Sequence, residues 1–152
     1  MIILALDPSS TNVGYCLAED ATYILSGVFK PKGKADARVA AIVEWAAYYL
    51  TTYEPETVIL EEPAANNAHR NPKTDRLLAR VGGIIEAVAL LNHIPVARVW
   101  PSQVKASGCS KDTRPFTARL VGKTKIGPDE ADAVGVWQAY LTELQKQRFE
   151  NL

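Results

Sequence analysis

Apolar residues fall into short unbroken runs in the first third of this chain and into helical stripes after it. Ile2-Ile3-Leu4-Ala5-Leu6 is continuous and is closed by Asp7-Pro8-Ser9-Ser10-Thr11-Asn12. It predicts a strand buried on both faces, which belongs in the middle of a sheet. Residues 13–18 and 23–29 predict two more strands joined by the polar turn Glu19-Asp20-Ala21, giving an antiparallel meander. A loop over 30–34 follows. Val39, Ile42, Val43, Ala46, Tyr49 and Leu50 then recur at helical spacing, predicting a helix over 37–52 with Asp36 as its N-cap and Pro55 ending it. Residues 57–60 form a short apolar run that finishes on Glu61 and Glu62. Beyond the polar, basic stretch 66–74, with His69, Arg70 and Lys73, a stripe of Leu77, Leu78, Val81, Ile84, Ile85 and Val88 predicts a helix over 75–91. Gly82-Gly83 inside it costs about 1 kcal/mol per glycine relative to alanine, which predicts a close packing contact or backbone approach there. Residues 95–100 read as a fifth strand, and Pro101 opens a short helix. The basic stretch 111–125 is partly helical, Gly127-Pro128 breaks it, and a last helix starts near Asp129 with Val134, Trp137, Leu141 and Leu144 on one face.

Strands in hairpin series followed by alternating helices and strands predict an α/β fold: a mixed five-stranded sheet, three strands antiparallel and two parallel, flanked by helices. A right-handed crossover lays 57–60 parallel to the first strand. Asp7 and either Glu61 or Glu62 then meet at the carboxyl ends of neighbouring strands, where open α/β sheets keep their ligand sites.

The chain's 152 residues, nearly half of them apolar, suit one domain over 1–152 with a sizeable core. No apolar run reaches membrane-spanning length and no basic leader precedes the first strand, so the expectation is a cytoplasmic protein with no membrane partner. Cys16 and Cys109 lack partners at metal-ligand spacing and are expected as reduced thiols. The formal net charge is zero, yet Arg98, Lys105, Lys111, Arg114, Arg119, Lys123 and Lys125 face only Asp112 within 98–125. That run is either an ordinary solvated face or a surface for a polyanion. Trp45, Trp100 and Trp137 read as core residues rather than stacking platforms.

Taken singly, the acids have ordinary explanations. Asp7 suits an Asx-type turn with Pro8, and Asp129 and Asp132 complement the dipole of a first helical turn. Together they do not, because carboxylates gathered at one point repel and need a cation. Without a histidine pair or cysteine cluster, an all-oxygen site suits magnesium or manganese rather than zinc, and no organic cofactor is implied. Two such ions about 3.5–4 Å apart would support phosphodiester hydrolysis.

Ile-Leu-Ala-Leu-Asp-Pro-Ser-Ser-Thr-Asn-Val-Gly-Tyr, Val-Ile-Leu-Glu-Glu-Pro, Ser-Gln-Val-Lys and Asp-Glu-Ala-Asp-Ala-Val-Gly-Val, in this order, resemble the RuvC family of Holliday junction resolvases over almost the whole chain. The resemblance implies a ribonuclease H-like fold, a homodimer, and cutting of four-way DNA junctions with two magnesium ions held by four carboxylates. By motif those are Asp7, Glu61, Asp129 and Asp132, Glu61 being preferred to Glu62 by its spacing from Pro55. Lys105, and after it Lys111, resemble the basic residues near the cleaved strand; Arg114, Arg70 and Lys73 are further candidates for DNA contact. Two departures stand out. Ser9 replaces a glycine usual in the family, and Pro63-Ala64-Ala65 stands where bacterial members carry an aromatic wedge, leaving Asn66, Asn67, His69 and Arg70 as candidates for substitute contacts. The length is nearer that of phage-encoded relatives, some of which accept branched DNA more broadly.

Two other readings compete. One is a catalytically silent branched-DNA-binding module of the same fold. The other is a phosphotransferase of the actin and sugar-kinase type, which Asp7 to Gly14 fits loosely but which needs a second domain and phosphate loop. Gly122-Lys123-Thr124 imitates the end of a P-loop, but Thr117 stands where the motif's first glycine belongs.

Overall fold

The computed structural model describes residues 1–9, 11–63 and 71–151, with only the backbone at 74 and 75. Five strands, β1 (Ile2–Pro8), β2 (Val13–Glu19), β3 (Thr22–Phe29), β4 (Thr57–Glu61) and β5 (Val96–Val99), form one sheet in the order β3-β2-β1-β4-β5. β1 to β3 are antiparallel neighbours, and β4 and β5 run parallel to β1, as the apolar pattern predicts. The first strand lies at the centre of the sheet.

Alternation along β1 divides the core. Ile3 and Ala5 face one side with Cys16, Ile59 and Val99, and meet the long helix α5 (Pro128–Glu150) through Ala131, Val134 and Trp137. Leu4 and Leu6 face the other side with Leu17, Val58 and Leu60, against α1 (Ala35–Tyr53) and α2 (Pro72–Leu91). Each fully buried Leu or Ile here contributes about 1.5–3 kcal/mol by leaving water. Among the described residues, no helix is long and apolar enough to cross a membrane.

Several local expectations change. Asp36 does not cap α1: the helix starts at Ala35 with Lys34 in the cap position, and the Asp36 side chain, 95% exposed, reaches Arg80 at 3.7 Å. An acid in the first turn serves the dipole as well as a cap does. Helix α1 ends as expected before Pro55, with Glu54 in the left-handed region. Helix α2 starts at Pro72, earlier than its apolar stripe indicates, because Asn71 accepts from the Lys73 N–H at 3.0 Å and Pro72 suits the first turn. At Gly82 and Gly83 an added Cβ would meet nothing within 4 Å, so the predicted close packing is not found among the described residues, and both line the cleft described below. Trp137 is core, whereas Trp100 is 55% exposed at the end of β5. The basic stretch resolves into a 3-10 turn, Lys111–Thr113, and α4 (Arg114–Leu120), preceded by α3 (Pro101–Ala106).

Candidate active site

A cleft of about 660 Å³ lies over the carboxyl edge of the sheet, between the α2 and α5 sides. Its lining includes Asp7, Glu61, Asp129 and Asp132, so acids from β1, β4 and α5 are brought to one place. The register explains how. Leu6 pairs with Leu60, both on the α1–α2 face, so the next residues, Asp7 and Glu61, turn together toward α5. Glu62 turns back toward the α2 side, where it accepts from Arg98 Nη1 at 3.0 Å. The ambiguity between the two glutamates is therefore one of pleat, and the pleat sends Glu61 to Asp7.

Asp7 carries the electrostatic burden of the site. Burial, repulsion by Glu61 and Asp132, a hydrogen bond with Glu61 and repulsion by Asp129 together push its carboxyl well above the ordinary aspartate range. Asp132 is also raised, chiefly by burial, against the lowering influence of Lys111. The Lys111 N–H donates to Asp132 Oδ1 at 2.7 Å. That N–H is held by a rigid turn: Ser110 Oγ accepts from Asp112 N–H at 3.2 Å, and Thr113 Oγ1 accepts from Ser110 N–H at 3.0 Å.

Asp129 is oriented by a residue that sequence motifs do not single out. Asn12 Nδ2 donates to Asp129 Oδ2 at 3.2 Å. Ser9 makes this possible, since its Oγ donates to Asn12 O and accepts from Asn12 N–H, both at 2.9 Å. The serine thus closes the turn after β1 with its own side chain and aims Asn12 at the site. Gly14, paired with Asp7 across β1 and β2, is equally specific: an added Cβ would lie 2.1 Å from the Asp129 carbonyl oxygen. Only a hydrogen there lets the start of α5 rest on the sheet beside Asp7.

The cations are distributed less simply than their clustering in sequence indicates. Lys111 lines the cleft. Lys105 is exposed on α3 outside that lining, and Arg114 and Lys73 are exposed at the starts of α4 and α2. Arg70, with Asn66, Asn67 and His69, lies outside the described residues. Arg98 and Lys123 are engaged internally, Arg98 with Glu62 and Glu86 and Lys123 with Glu130.

Four convergent carboxylates without a histidine or thiolate fit a hard divalent cation. Among the described residues no three metal-ligating side chains close into a preformed cage. The residues present fit magnesium in kind.

A mixed five-stranded sheet with acids at the tips of its central strands and on the helix behind them defines a ribonuclease H-like protein. Residues 3–135 match the family model described as crossover junction endodeoxyribonuclease RuvC. The chain belongs to the RuvC family, enzymes that hydrolyse phosphodiester bonds in DNA. Similar proteins include the RuvC of Azoarcus sp. (strain BH72), 28% identical over 87% of this chain and 77% of that protein. The RuvC of Saccharopolyspora erythraea is 32% identical over 88% of this chain and 71% of that one. The solved structure of Thermus thermophilus RuvC in complex with a Holliday junction substrate shares the fold at a TM-score of 0.81, with 20% identity and 96% of each chain covered. The yeast mitochondrial Holliday junction resolvase matches at 0.61, with 11% identity over 99% of this chain and 84% of that one. Family membership sets aside the phosphotransferase reading.

Proposed function

We propose that this protein resolves Holliday junctions, and cuts related branched DNA, by paired phosphodiester nicks in a magnesium-dependent reaction. The observation that carries the reading is the convergence of Asp7, Glu61, Asp129 and Asp132 from three separate elements in one open cleft. These four would hold two magnesium ions, with manganese able to substitute. When bound, the metal would supply a water activated for attack and stabilise the leaving oxygen.

The chain's own residues do the rest. Asn12 and the Lys111 N–H fix the orientation of Asp129 and Asp132. The Lys111 side chain offers the cleft a positive charge for the cleaved strand, while Lys105, Arg114 and Lys73 would hold phosphates outside the cleft with salt-sensitive affinity, and Arg70 is a further candidate for DNA contact. Cutting two strands of a symmetric junction calls for two sites, hence a homodimer of single-domain nucleases over 1–152, working in the cytoplasm where the DNA is.

Paired action is testable on a supercoiled plasmid that extrudes a cruciform. Nicks made together within one complex yield linear plasmid as the first product. Accumulation of open circles that only later become linear would contradict the paired mechanism.

A further inference from the structure

The cleft holds more acid than the chemistry needs. Besides the four carboxylates assigned above, Glu62 and Glu86 line it, and among the described residues its cations are Arg98 and Lys111. Arg98 reaches both extra acids. Its Nη1 donates to Glu62 Oε2 at 3.0 Å, and its Nη2 donates to Glu86 Oε2. The three come from different elements: Glu62 just past β4, Glu86 in the second turn of α2 counted back from its end, and Arg98 in β5, opposite Leu60 in the parallel register. Their side chains are 31%, 35% and 35% exposed, so all three face the space a ligand would occupy.

Resting on the nuclease reading, we propose that Arg98 is a positioning residue that masks Glu62 and Glu86. It holds Glu62 and Glu86 together on the α2 side, where the pleat has already sent Glu62, and it cancels one of the two negative charges that bare carboxylates would present to an entering DNA strand. Only arginine suits the task. Its planar fork presents separate donors to two acids at once, whereas a lysine ammonium on a flexible stem would favour one. Both glutamates stand within one cleft, comparable in scale to the Debye length of about 8–10 Å, so salt does not screen them fully from a bound phosphate. On this proposal Arg98 acts through the two acids rather than by gripping DNA, its charge and one donor from each Nη being directed to Glu62 and Glu86. The basic run in the sequence therefore includes a cation whose role is to cancel local negative charge.

The test is binding of a labelled four-way junction and a linear duplex by the full chain without divalent metal, read by fluorescence anisotropy. Arg98→Gln is expected to weaken junction binding roughly three- to tenfold at about 50 mM salt, and less at higher salt. The triple variant Arg98→Gln, Glu62→Gln, Glu86→Gln is expected to bind at least as tightly as wild type. A triple variant as weak as Arg98→Gln would show that Arg98 grips DNA directly and would overturn masking, as would Arg98→Gln binding like wild type. Should Arg98→Gln not fold, the pair Glu62→Gln, Glu86→Gln decides: uncovering Arg98 should tighten junction binding, and unchanged or weaker binding overturns the proposal. A wild-type protein with no preference for the junction would instead count against the proposed function.

Discussion

Asp7→Asn should abolish strand cutting, by at least about a thousandfold, since it removes a ligand whose ion supplies several kcal/mol of transition-state stabilisation. Junction binding should persist or tighten, because one negative charge leaves the cleft. The same change should stabilise the metal-free protein. Burial and its acidic neighbours hold the Asp7 carboxyl above its ordinary value, so the folded state binds more protons than the unfolded state above about pH 4. Metal-free wild type should accordingly lose stability as pH rises through that window, and Asp7→Asn should flatten the dependence. Magnesium reverses the order. An ion bound only by the folded protein adds about 2.7 kcal/mol at a hundredfold excess over its Kd, or roughly 5–10 °C in a domain of this size. Calorimetry with and without magnesium checks the pair of effects. Cutting that survived Asp7→Asn would refute the ligand assignment, and a wild-type protein that bound the junction without cutting it in magnesium would be the silent binding module.

Gly14→Ala should be strongly damaging although the residue bears no functional group. A Cβ placed 2.1 Å from the Asp129 carbonyl oxygen and 2.6 Å from its carbonyl carbon meets backbone, which cannot swing aside. Overpacking of this kind costs about 1–3 kcal/mol. The strain should be relieved by lifting the first turn of α5 off β2, which displaces Asp129 and Asp132 together. A shift of about 1 Å in a reacting group costs on the order of a hundredfold in rate. Cleavage should therefore fall by about that factor, with a melting temperature lower by several degrees, about 2–4 °C per kcal/mol. Gly83→Ala is the contrast: with open space around it and a helical backbone, it should raise stability by about 0.5–1 kcal/mol. Equal losses in both variants would mean that Gly14 is an ordinary strand glycine.

The frame of this molecule was readable because its signals are local. Five apolar residues ending in Asp7 can hardly be anything but a central strand, and Pro55, Pro101 and Gly127-Pro128 punctuate the helices where the pattern changes. The carboxylates were readable for a similar reason, Asp7 and Glu61 standing where apolar strands stop and Asp129 and Asp132 where the last helix begins. What was not readable depends on partners distant in sequence. Glu61 and Glu62 are adjacent, and only the pairing of Leu6 with Leu60 tells which one turns toward Asp7. Arg98 looked like one more phosphate-seeking cation until β5 and α2 placed it between two acids. Ser9 looked like a departure from glycine, yet it builds the turn that delivers Asn12 to Asp129 across 117 residues. Gly82 and Gly83 misled because a glycine in a helix signals close approach without saying whether the neighbour is protein.

That acids converging from β1, β4 and α5 make a metal-dependent site acting on branched DNA is a testable proposal. It is tested most directly by incubating the protein with an end-labelled mobile four-way junction and a linear duplex of the same sequence, each with magnesium and with chelator. The expected result is cleavage of the junction alone, at positions placed symmetrically in opposing strands, and only when magnesium is present. Equal cleavage of the linear duplex, or junction cutting that persists in chelator, would contradict it.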